Sequence, residues 1–308
     1  MQPEHNRRDF LRTWLVATAA TAGLVGLPSL SARAVEPLQR KGTPRLRRSL
    51  AAYSFRDTFK HPDPTRRITL FDFLDYCADQ GLEGAELTSY YFPERFGDDY
   101  LLQLKRHAFL RGIAISGSAV GNNFVIPKGP KRDQQIADTK KWVDHCAVLG
   151  APHIRVFAGP VDKALDPATS KKLAIEAFEE CAAYAGLKGV FLGLENHHGI
   201  VTEPEDLLEI VRAVKSPWFG INLDTGNFFT DDPYADLAKC APYAVNVQVK
   251  VEIKRRNDKE EFLADFPRII QILRDANYQG WVALEYEAKE DPWTGVPKYL
   301  KQLRDAIA

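Results

Sequence analysis

The feature of this sequence that most limits its fold is a unit that repeats eight times: a short apolar segment, a polar loop and an amphipathic segment of helical length. Eight segments rich in β-branched or apolar residues predict strands at Leu50–Phe55, Gly84–Leu87, Ile113–Ser118, His153–Phe157, Val190–Glu195, Phe219–Asp224, Ala244–Lys250 and Trp281–Glu287. Helices are predicted at Thr69–Gln80, Tyr100–Arg111, Asp133–Leu149, Pro167–Leu187, Pro204–Val214, Tyr234–Cys240, Glu260–Ala276 and Val296–Ala306. Alternating strands and helices form a parallel sheet, because each crossover needs a connection of helical length. Eight such units over about 260 residues predict an α/β fold, a single-domain (β/α)₈ TIM barrel.

The alternative fold is an open, doubly wound sheet. A dinucleotide-binding sheet of that kind has a glycine-rich first turn, whereas the first turn here reads Tyr53-Ser54-Phe55-Arg56-Asp57 and contains no glycine. The closed barrel is therefore favoured. The charge is balanced, with 41 Lys and Arg against 41 Asp and Glu, which gives no electrostatic reason to expect nucleic acid or an acidic membrane surface as a partner.

The first 34 residues differ from the rest of the chain. Arg7-Arg8-Asp9-Phe10-Leu11 is similar to a twin-arginine export signal. A weakly apolar run follows over residues 14–27, shorter than the ~20 residues that span a membrane. Ala32-Arg33-Ala34 then supplies the small residues of a cleavage site. We expect residues 1–34 to be an export signal, 35–48 a linker and 49–308 the barrel, with the mature protein periplasmic or extracellular and free of the membrane. A general secretory signal and an uncleaved basic start are the alternatives.

Polar residues close the last four predicted strands. They are Glu195, Asn196, His197 and His198 after the fifth, Asp224 and Asn227 at the sixth, Gln248 and Lys250 at the seventh, and Glu285 and Glu287 at the eighth. In a barrel the carboxyl ends of the strands form the mouth where active sites lie. Buried acids are costly unless a positive charge pairs with them, and a divalent metal would do so. Oxygen ligands suit Mn²⁺, Mg²⁺ or Ca²⁺ better than Zn²⁺.

These segments, together with Asp224-Thr225-Gly226-Asn227-Phe228, resemble the xylose isomerase-like barrels over about residues 49–304. That family contains sugar and sugar-phosphate isomerases and epimerases, with inosose dehydratase among its relatives. The resemblance implies that Glu195, Asp224, Gln248 and Glu285 hold one divalent metal. Gln248 stands where the family usually has His, and Asn227 where epimerases often carry His. A Gln ligand favours Mn²⁺ or Mg²⁺ over Zn²⁺.

Each candidate also has a structural alternative. Glu195 and Glu285 are predicted as acid/base groups, or as partners of barrel lysines. Lys250 either stabilises an oxyanion or pairs with the acids, and Glu287 is a second-ranked ligand. A last group is predicted to contact substrate, with capping, turn or surface roles as alternatives: His197, His198, Asn122 and Asn227.

Three functions follow from these residues. The first is a metal-dependent isomerase or epimerase that moves a proton through an enediolate between Glu195 and Glu285. The second is a lyase or dehydratase that uses the same enediolate on keto-sugars or 3-keto-glycosides. The third is a non-catalytic sugar-binding barrel. The partner in each case is a small sugar or sugar derivative. With seven His residues and neutral charge, a multi-zinc DNA-repair endonuclease is disfavoured.

The export signal is testable directly. Replacing Arg7 and Arg8 by Lys should leave a folded, uncleaved precursor in the cytoplasm, because the paired arginines carry the signal. Cell fractionation followed by N-terminal sequencing measures this, and cleavage is expected after Ala34. Normal export of the double variant would contradict the twin-arginine route and leave the general secretory route in its place.

Overall fold

The computed structural model describes residues 36–308, and the predicted export signal lies outside them. Eight parallel strands close into a barrel in the order β1-β8-β7-β6-β5-β4-β3-β2. They are β1 Arg45–Ala51, β2 Gly84–Thr88, β3 Ala114–Ala119, β4 His153–Val156, β5 Phe191–Glu195, β6 Phe219–Asp224, β7 Ala244–Val249 and β8 Gln279–Leu284. The single-domain (β/α)₈ barrel predicted from the sequence is confirmed.

A helix follows each strand. These helices are α1 Leu70–Asp79, α2 Asp98–Leu110, α3 Pro130–Leu149, α4 Pro167–Leu187, α5 Pro204–Ala213, α6 Pro233–Cys240, α7 Phe266–Asp275 and α8 Pro292–Ile307. Their starts are set by local chemistry: Thr69 and Asp72 form a reciprocal cap on α1, and Asp166 accepts a hydrogen bond from the Thr169 amide ahead of α4. None of the helices within residues 36–308 is both long and apolar enough to span a membrane.

Two predicted elements differ from the structure. The first strand begins at Arg45 and ends at Ala51, and the remaining predicted strand residues form a short helical turn, Ala52–Phe55. The helix predicted from Glu260 begins instead at Phe266, where Asp265 accepts from the Arg268 amide. The preceding residues pair in a small antiparallel hairpin of Glu252–Ile253 with Phe262–Leu263. Pro267 explains the later start, because proline is tolerated only in the first turn of a helix.

Residues 45–48, predicted to belong to the linker, are part of the barrel. Arg45–Arg48 form the first half of β1 and pair with the start of β8. The sequence did not predict this part of the strand because its side chains are mostly basic. Arg47 and Arg48 lie half-buried at the amino-terminal end of the barrel. There Arg47 lies 3.7 Å over the Trp281 ring and 3.4 Å from Glu83.

The segment before β1 packs against the same end of the barrel. The Leu38 amide donates to the Pro242 carbonyl at 2.9 Å, and the Arg40 guanidinium donates to the Ala244 carbonyl at 2.5 Å. Arg40 also lies 4.9 Å from the centre of the Tyr278 ring, and burial lowers its pKa. These contacts hold the segment across the amino-terminal ends of β7 and β8.

The barrel core contains the four cysteines. All four, Cys77, Cys146, Cys181 and Cys240, are buried and unpaired. Burial raises the pKa of the Cys146 thiol to about 12. The cysteines therefore act as small apolar side chains.

The role of Arg40 gives a stability prediction. Arg40→Ala should lower the free energy of unfolding by roughly 1–3 kcal/mol, because it removes a hydrogen bond and a buried apolar stem. Urea denaturation of the mature protein measures the change. Lys41→Ala is the matched control, since the Lys41 residue is exposed and its change should stay within about 0.5 kcal/mol. Equal stability of the two variants would contradict a structural role for this segment.

Candidate functional site

The carboxyl ends of β5 to β8 bring the predicted acids together around one ammonium group. Lys250 follows β7, and its Nζ lies 2.7 Å from Glu285 Oε2 and 3.4 Å from Asp224 Oδ2. It also contacts Glu287. Burial alone would lower the pKa of Lys250, but Asp224, Glu285 and Glu287 outweigh it and hold that pKa well above its usual value. Of the two roles predicted for Lys250, the structure shows the pairing with acids.

Gly226 is what lets Lys250 reach this position. A Cβ on Gly226 would lie 2.5 Å from the Lys250 Cγ, a distance that no side chain tolerates. The glycine of the Asp-Thr-Gly-Asn segment therefore clears the path of the lysine stem. The Lys250 amide is fixed as well, because it donates to the Thr225 hydroxyl at 3.0 Å.

Glu195 ends β5 and has partners of its own. Its Oε2 lies 2.8 Å from Arg155 Nε, and its Oε1 accepts from Asn227 Nδ2 at 2.9 Å. Burial raises the pKa of Glu195 to about 7, against the opposing effect of Arg155 and with a further contribution from Glu285. Such a carboxyl exchanges its proton near neutral pH, as a general base or acid must. The predicted alternative, a salt bridge, is thus present for Glu195 and Glu285, and the partner of Glu195 is an arginine.

Asp224 ends β6 in a fully buried position. Its Oδ1 accepts from the Gly226 amide at 2.8 Å, while its Oδ2 has no hydrogen-bond partner among the described residues. Asn196 fixes the backbone beneath it, since it accepts from the Asp224 amide and donates to the Asp224 carbonyl, both at 2.8 Å. Burial raises the pKa of Asp224 well above its usual value, with Lys250 opposing.

Gln248 stands one layer below, in a ring of hydrogen-bonded side chains. Its Nε2 donates to Glu86 Oε1 at 2.7 Å and faces Glu285 Oε1 at 3.4 Å. Its Oε1 accepts from Asn222 Nδ2 at 2.6 Å. Asn246 Nδ2 donates both to Asn222 Oδ1, at 2.8 Å, and to Glu86 Oε2, at 2.9 Å. The side chain predicted as a ligand is therefore held rigidly.

The predicted substrate-contact residues lie at different distances from this centre. His197 packs 4.7 Å from the Phe157 ring, and burial lowers the pKa of His197 to about 3, which keeps the imidazole neutral. His198 is exposed beside it. Asn122 is engaged elsewhere, because its side chain donates to the Phe157 carbonyl and accepts from the Phe157 amide. Asn227 is bonded to Glu195, so its predicted sugar contact stays a prediction.

Two functional residues were missed in the sequence. Arg155 lies in β4 and Glu86 in β2, and both are almost fully buried. Each is a charged residue inside a strand of four or five residues, on the inward-facing side, which is the signal that could have revealed them. Arg155 also donates to the Val120 carbonyl at 3.0 Å, so it ties the loop after β3 to the candidate base.

The donor set fits a divalent cation in its chemistry. Three carboxylates and an amide oxygen are the ligands that Mn²⁺ and Mg²⁺ prefer, and Asp224 Oδ2 makes no hydrogen bond within residues 36–308 beyond its ion pair with Lys250 at 3.4 Å. As the side chains stand, Lys250 and Arg155 share these acids. Within residues 36–308, no three His, Cys, Asp or Glu side chains form a ready-made metal-binding group. The metal therefore stays a prediction.

Comparisons with known proteins agree with this fold. Residues 74–305 match the family model described as xylose isomerase-like TIM barrel. A putative hydroxypyruvate isomerase of Xenopus laevis is 26% identical over 188 residues, 56% of this chain and 68% of the relative. A putative hydroxypyruvate isomerase of Homo sapiens is 22% identical over 233 residues, 70% and 84% of the two chains. A D-psicose 3-epimerase structure from Clostridium cellulolyticum H10, with D-tagatose, superposes with a TM-score of 0.69 at 16% identity, covering 85% of this chain and 99% of that one.

The Arg155–Glu195 pair gives a second stability prediction. Arg155→Met should lower the free energy of unfolding by about 3–5 kcal/mol, because it leaves a buried carboxylate without its cation. Urea denaturation at pH 7 measures it, and adding Glu195→Gln should recover part of the loss. Arg256→Met, at an exposed pair with Glu203, is the control and should cost less than about 1 kcal/mol. If Arg155→Met is as stable as Arg256→Met, the Arg155–Glu195 pair does not stabilise the site.

Proposed function

The chain belongs to the xylose isomerase-like TIM barrel family, and we propose that it isomerises or epimerises a sugar or sugar derivative by moving a carbon-bound proton. The observation that carries the proposal is the placement of two buried carboxylates, Glu195 and Glu285, on different strands of one mouth. Each has a cationic partner of its own, Arg155 for Glu195 and Lys250 for Glu285. One carboxylate can take a proton while the other returns it.

Glu195 is suited to the base role. With a pKa of about 7, it is partly ionised at neutral pH and strong enough to take a proton from a carbon next to a carbonyl. Arg155 and Asn227 fix both carboxylate oxygens, so the group is already oriented before substrate arrives. This preorganisation lowers the entropy lost on reaching the transition state.

Glu285 and Lys250 form the opposite side of the reaction. The ammonium donates to Glu285 at 2.7 Å and is nearly enclosed, so its charge acts over a short, poorly screened distance. A positive group in that position stabilises negative charge that develops on a substrate oxygen. Lys250 therefore serves both predicted roles in the proposal, as the partner of the acids and as an oxyanion donor.

The proposal includes one divalent cation, Mn²⁺ or Mg²⁺, held by Glu195, Asp224, Gln248 and Glu285. When bound, such a cation polarises adjacent carbonyl and hydroxyl oxygens and acidifies the neighbouring carbon-bound proton. The buried Asp224 Oδ2 makes no hydrogen bond within residues 36–308 and has the Lys250 ammonium at 3.4 Å, which supports its place in the set. The neutral His197, at the edge of the mouth, is proposed to bind a substrate hydroxyl.

A sugar-like substrate is supported by the relatives. The two curated relatives are described as hydroxypyruvate isomerases, and the superposed epimerase was crystallised with a ketose. All of these names describe small polyhydroxylated or hydroxy-keto compounds. If residues 1–34 direct export, phosphorylated sugars become poor candidates because they are mainly cytoplasmic, and neutral or oxidised sugars are favoured.

One experiment tests the reaction. The mature protein with Mn²⁺ in deuterated water is offered ketoses, aldoses, hydroxypyruvate, inososes and 3-keto-glycosides, and NMR follows the label. An isomerase or epimerase returns a product of unchanged composition that carries deuterium. A lyase instead releases water or an aglycone and leaves an unsaturated sugar. Glu195→Gln and Glu285→Gln should each lower the rate about a hundredfold or more at saturating Mn²⁺.

Controls separate the two parts of the proposal. Glu83→Gln, at a partly exposed pair with Arg47 on the amino-terminal end of the barrel opposite the mouth, should keep the wild-type rate. Asp224→Ala and chelator-treated protein should both lose turnover while remaining folded by circular dichroism. Absence of exchange with every substrate would reject the reaction in favour of a sugar-binding barrel. Full activity without any divalent cation would reject the cation alone.

A further inference from the structure

Beneath the mouth, four buried side chains close a ring of hydrogen bonds: Glu86, Asn246, Asn222 and Gln248. Asn246 donates to Glu86 and to Asn222, Asn222 donates to Gln248, and Gln248 donates back to Glu86. Three of the four are amides, which can each be turned in either direction. The fourth, Glu86, lies on β2 across the barrel from β7.

Glu86 decides the direction of the ring. Its two carboxylate oxygens only accept hydrogen bonds, so Asn246 and Gln248 must both turn their NH₂ groups toward it. Asn222 then has to accept from Asn246 and donate to Gln248. A neutral amide at position 86 would offer one donor and one acceptor, and the ring could run either way.

The direction of the ring sets what Gln248 presents to the site. Its Nε2 points to Glu86 and toward Glu285, and its Oε1 lies on the β6 side, where Asn222 occupies one of its two lone pairs. We infer that Glu86 is a positioning residue: it fixes the Gln248 amide with its carbonyl oxygen toward the strand of Asp224, as a cation ligand requires. The inference deepens the proposed function and rests on it.

A structural role alone does not account for a carboxylate at this depth. Glu86 is fully buried, and desolvating a charged group is expensive, so apolar residues usually serve a barrel interior better. The nearest titratable group from another strand is His153, whose Nε2 lies 3.6 Å from Glu86 Oε2. Room for that imidazole exists because Gly117 lacks a Cβ, which would lie 2.0 Å from His153 Cε1. A carboxylate kept under these conditions is explained by the orientation it enforces.

The test exchanges the donor and acceptor roles within the ring. In Glu86→Gln the ring loses its fixed direction. In Gln248→Glu two carboxylates face each other. In the double variant E86Q/Q248E the Gln at 86 donates to the Glu at 248, and every hydrogen bond of the ring re-forms. Mn²⁺ affinity by calorimetry and the melting temperature of the metal-free protein are measured for all four forms.

The expected results are specific to orientation. Glu86→Gln should weaken Mn²⁺ binding about tenfold or more, the usual scale for a group that orients a metal ligand. E86Q/Q248E should melt above Gln248→Glu, because it removes the repulsion between the carboxylates at 86 and 248, and it should bind Mn²⁺ at least as tightly as wild type, since position 248 presents an oxygen. Asp236→Asn is the matched control. It removes a buried acid bonded to Thr230 and Lys239 on α6, so its melting temperature should fall with Mn²⁺ affinity unchanged.

Each outcome bears on the inference. Wild-type Mn²⁺ affinity in Glu86→Gln would overturn it. If wild type binds no Mn²⁺, the cation of the proposed function fails. The melting temperatures then decide: a double variant no more stable than Gln248→Glu overturns the inference, and one more stable than Gln248→Glu supports the fixed Gln248 amide.

Discussion

The site depends on an excess of buried acids over buried cations in the barrel. Glu86, Glu195, Asp224 and Glu285 are all nearly inaccessible to water, and the cations buried with them are Arg155 and Lys250. Four acids against two cations leave an excess of negative charge in a poorly screened space. Burial raises the pKa values of Glu195 and Asp224, and the neighbouring carboxylates raise them further against the opposing cations. A mouth of this kind suits the proposed cation, and it supplies in Glu195 a carboxyl that exchanges its proton near neutral pH.

The barrel makes this excess of negative charge tolerable by placing the acids on separate strands. Each acid comes from a different strand, and the parallel arrangement keeps the strand ends at fixed spacing. Hydrogen bonds to the backbone and to amides take up most of the acceptors, as with Asn227 on Glu195 and Gly226 on Asp224. Asp224 Oδ2 makes no hydrogen bond within residues 36–308 and lies 3.4 Å from Lys250 Nζ. The fold therefore gathers its buried acids at the mouth, where a bound ligand can offset their negative charge.

The barrel and the acids at its strand ends were predictable from the sequence, because both follow from local patterns of apolar runs and the polar residues that close them. The partners of those acids were not. Glu86 and Gln248 are 162 positions apart, and only closure of the barrel brings β2 opposite β7. Arg155 could not be predicted for the same reason, because its role depends on contact with Glu195 in the next strand. The start of β1 was missed because half-buried arginines at the barrel edge look like a basic linker.

Glu86 helps to explain why Gln248 can stand at the position where the family resemblance implies His. A metal-binding imidazole uses one nitrogen as the ligand and donates the other N–H to a carboxylate or carbonyl, which fixes its orientation. Gln248 divides the same two tasks between its carbonyl oxygen and its Nε2, and Glu86 accepts the hydrogen at 2.7 Å. A carboxylate on β2 can therefore orient either residue. In the proposed site, Gln248 offers a ligand atom on one side and a hydrogen-bond donor on the other. An oxygen ligand in place of the imidazole nitrogen that the family resemblance implies would favour Mn²⁺ or Mg²⁺ over Zn²⁺.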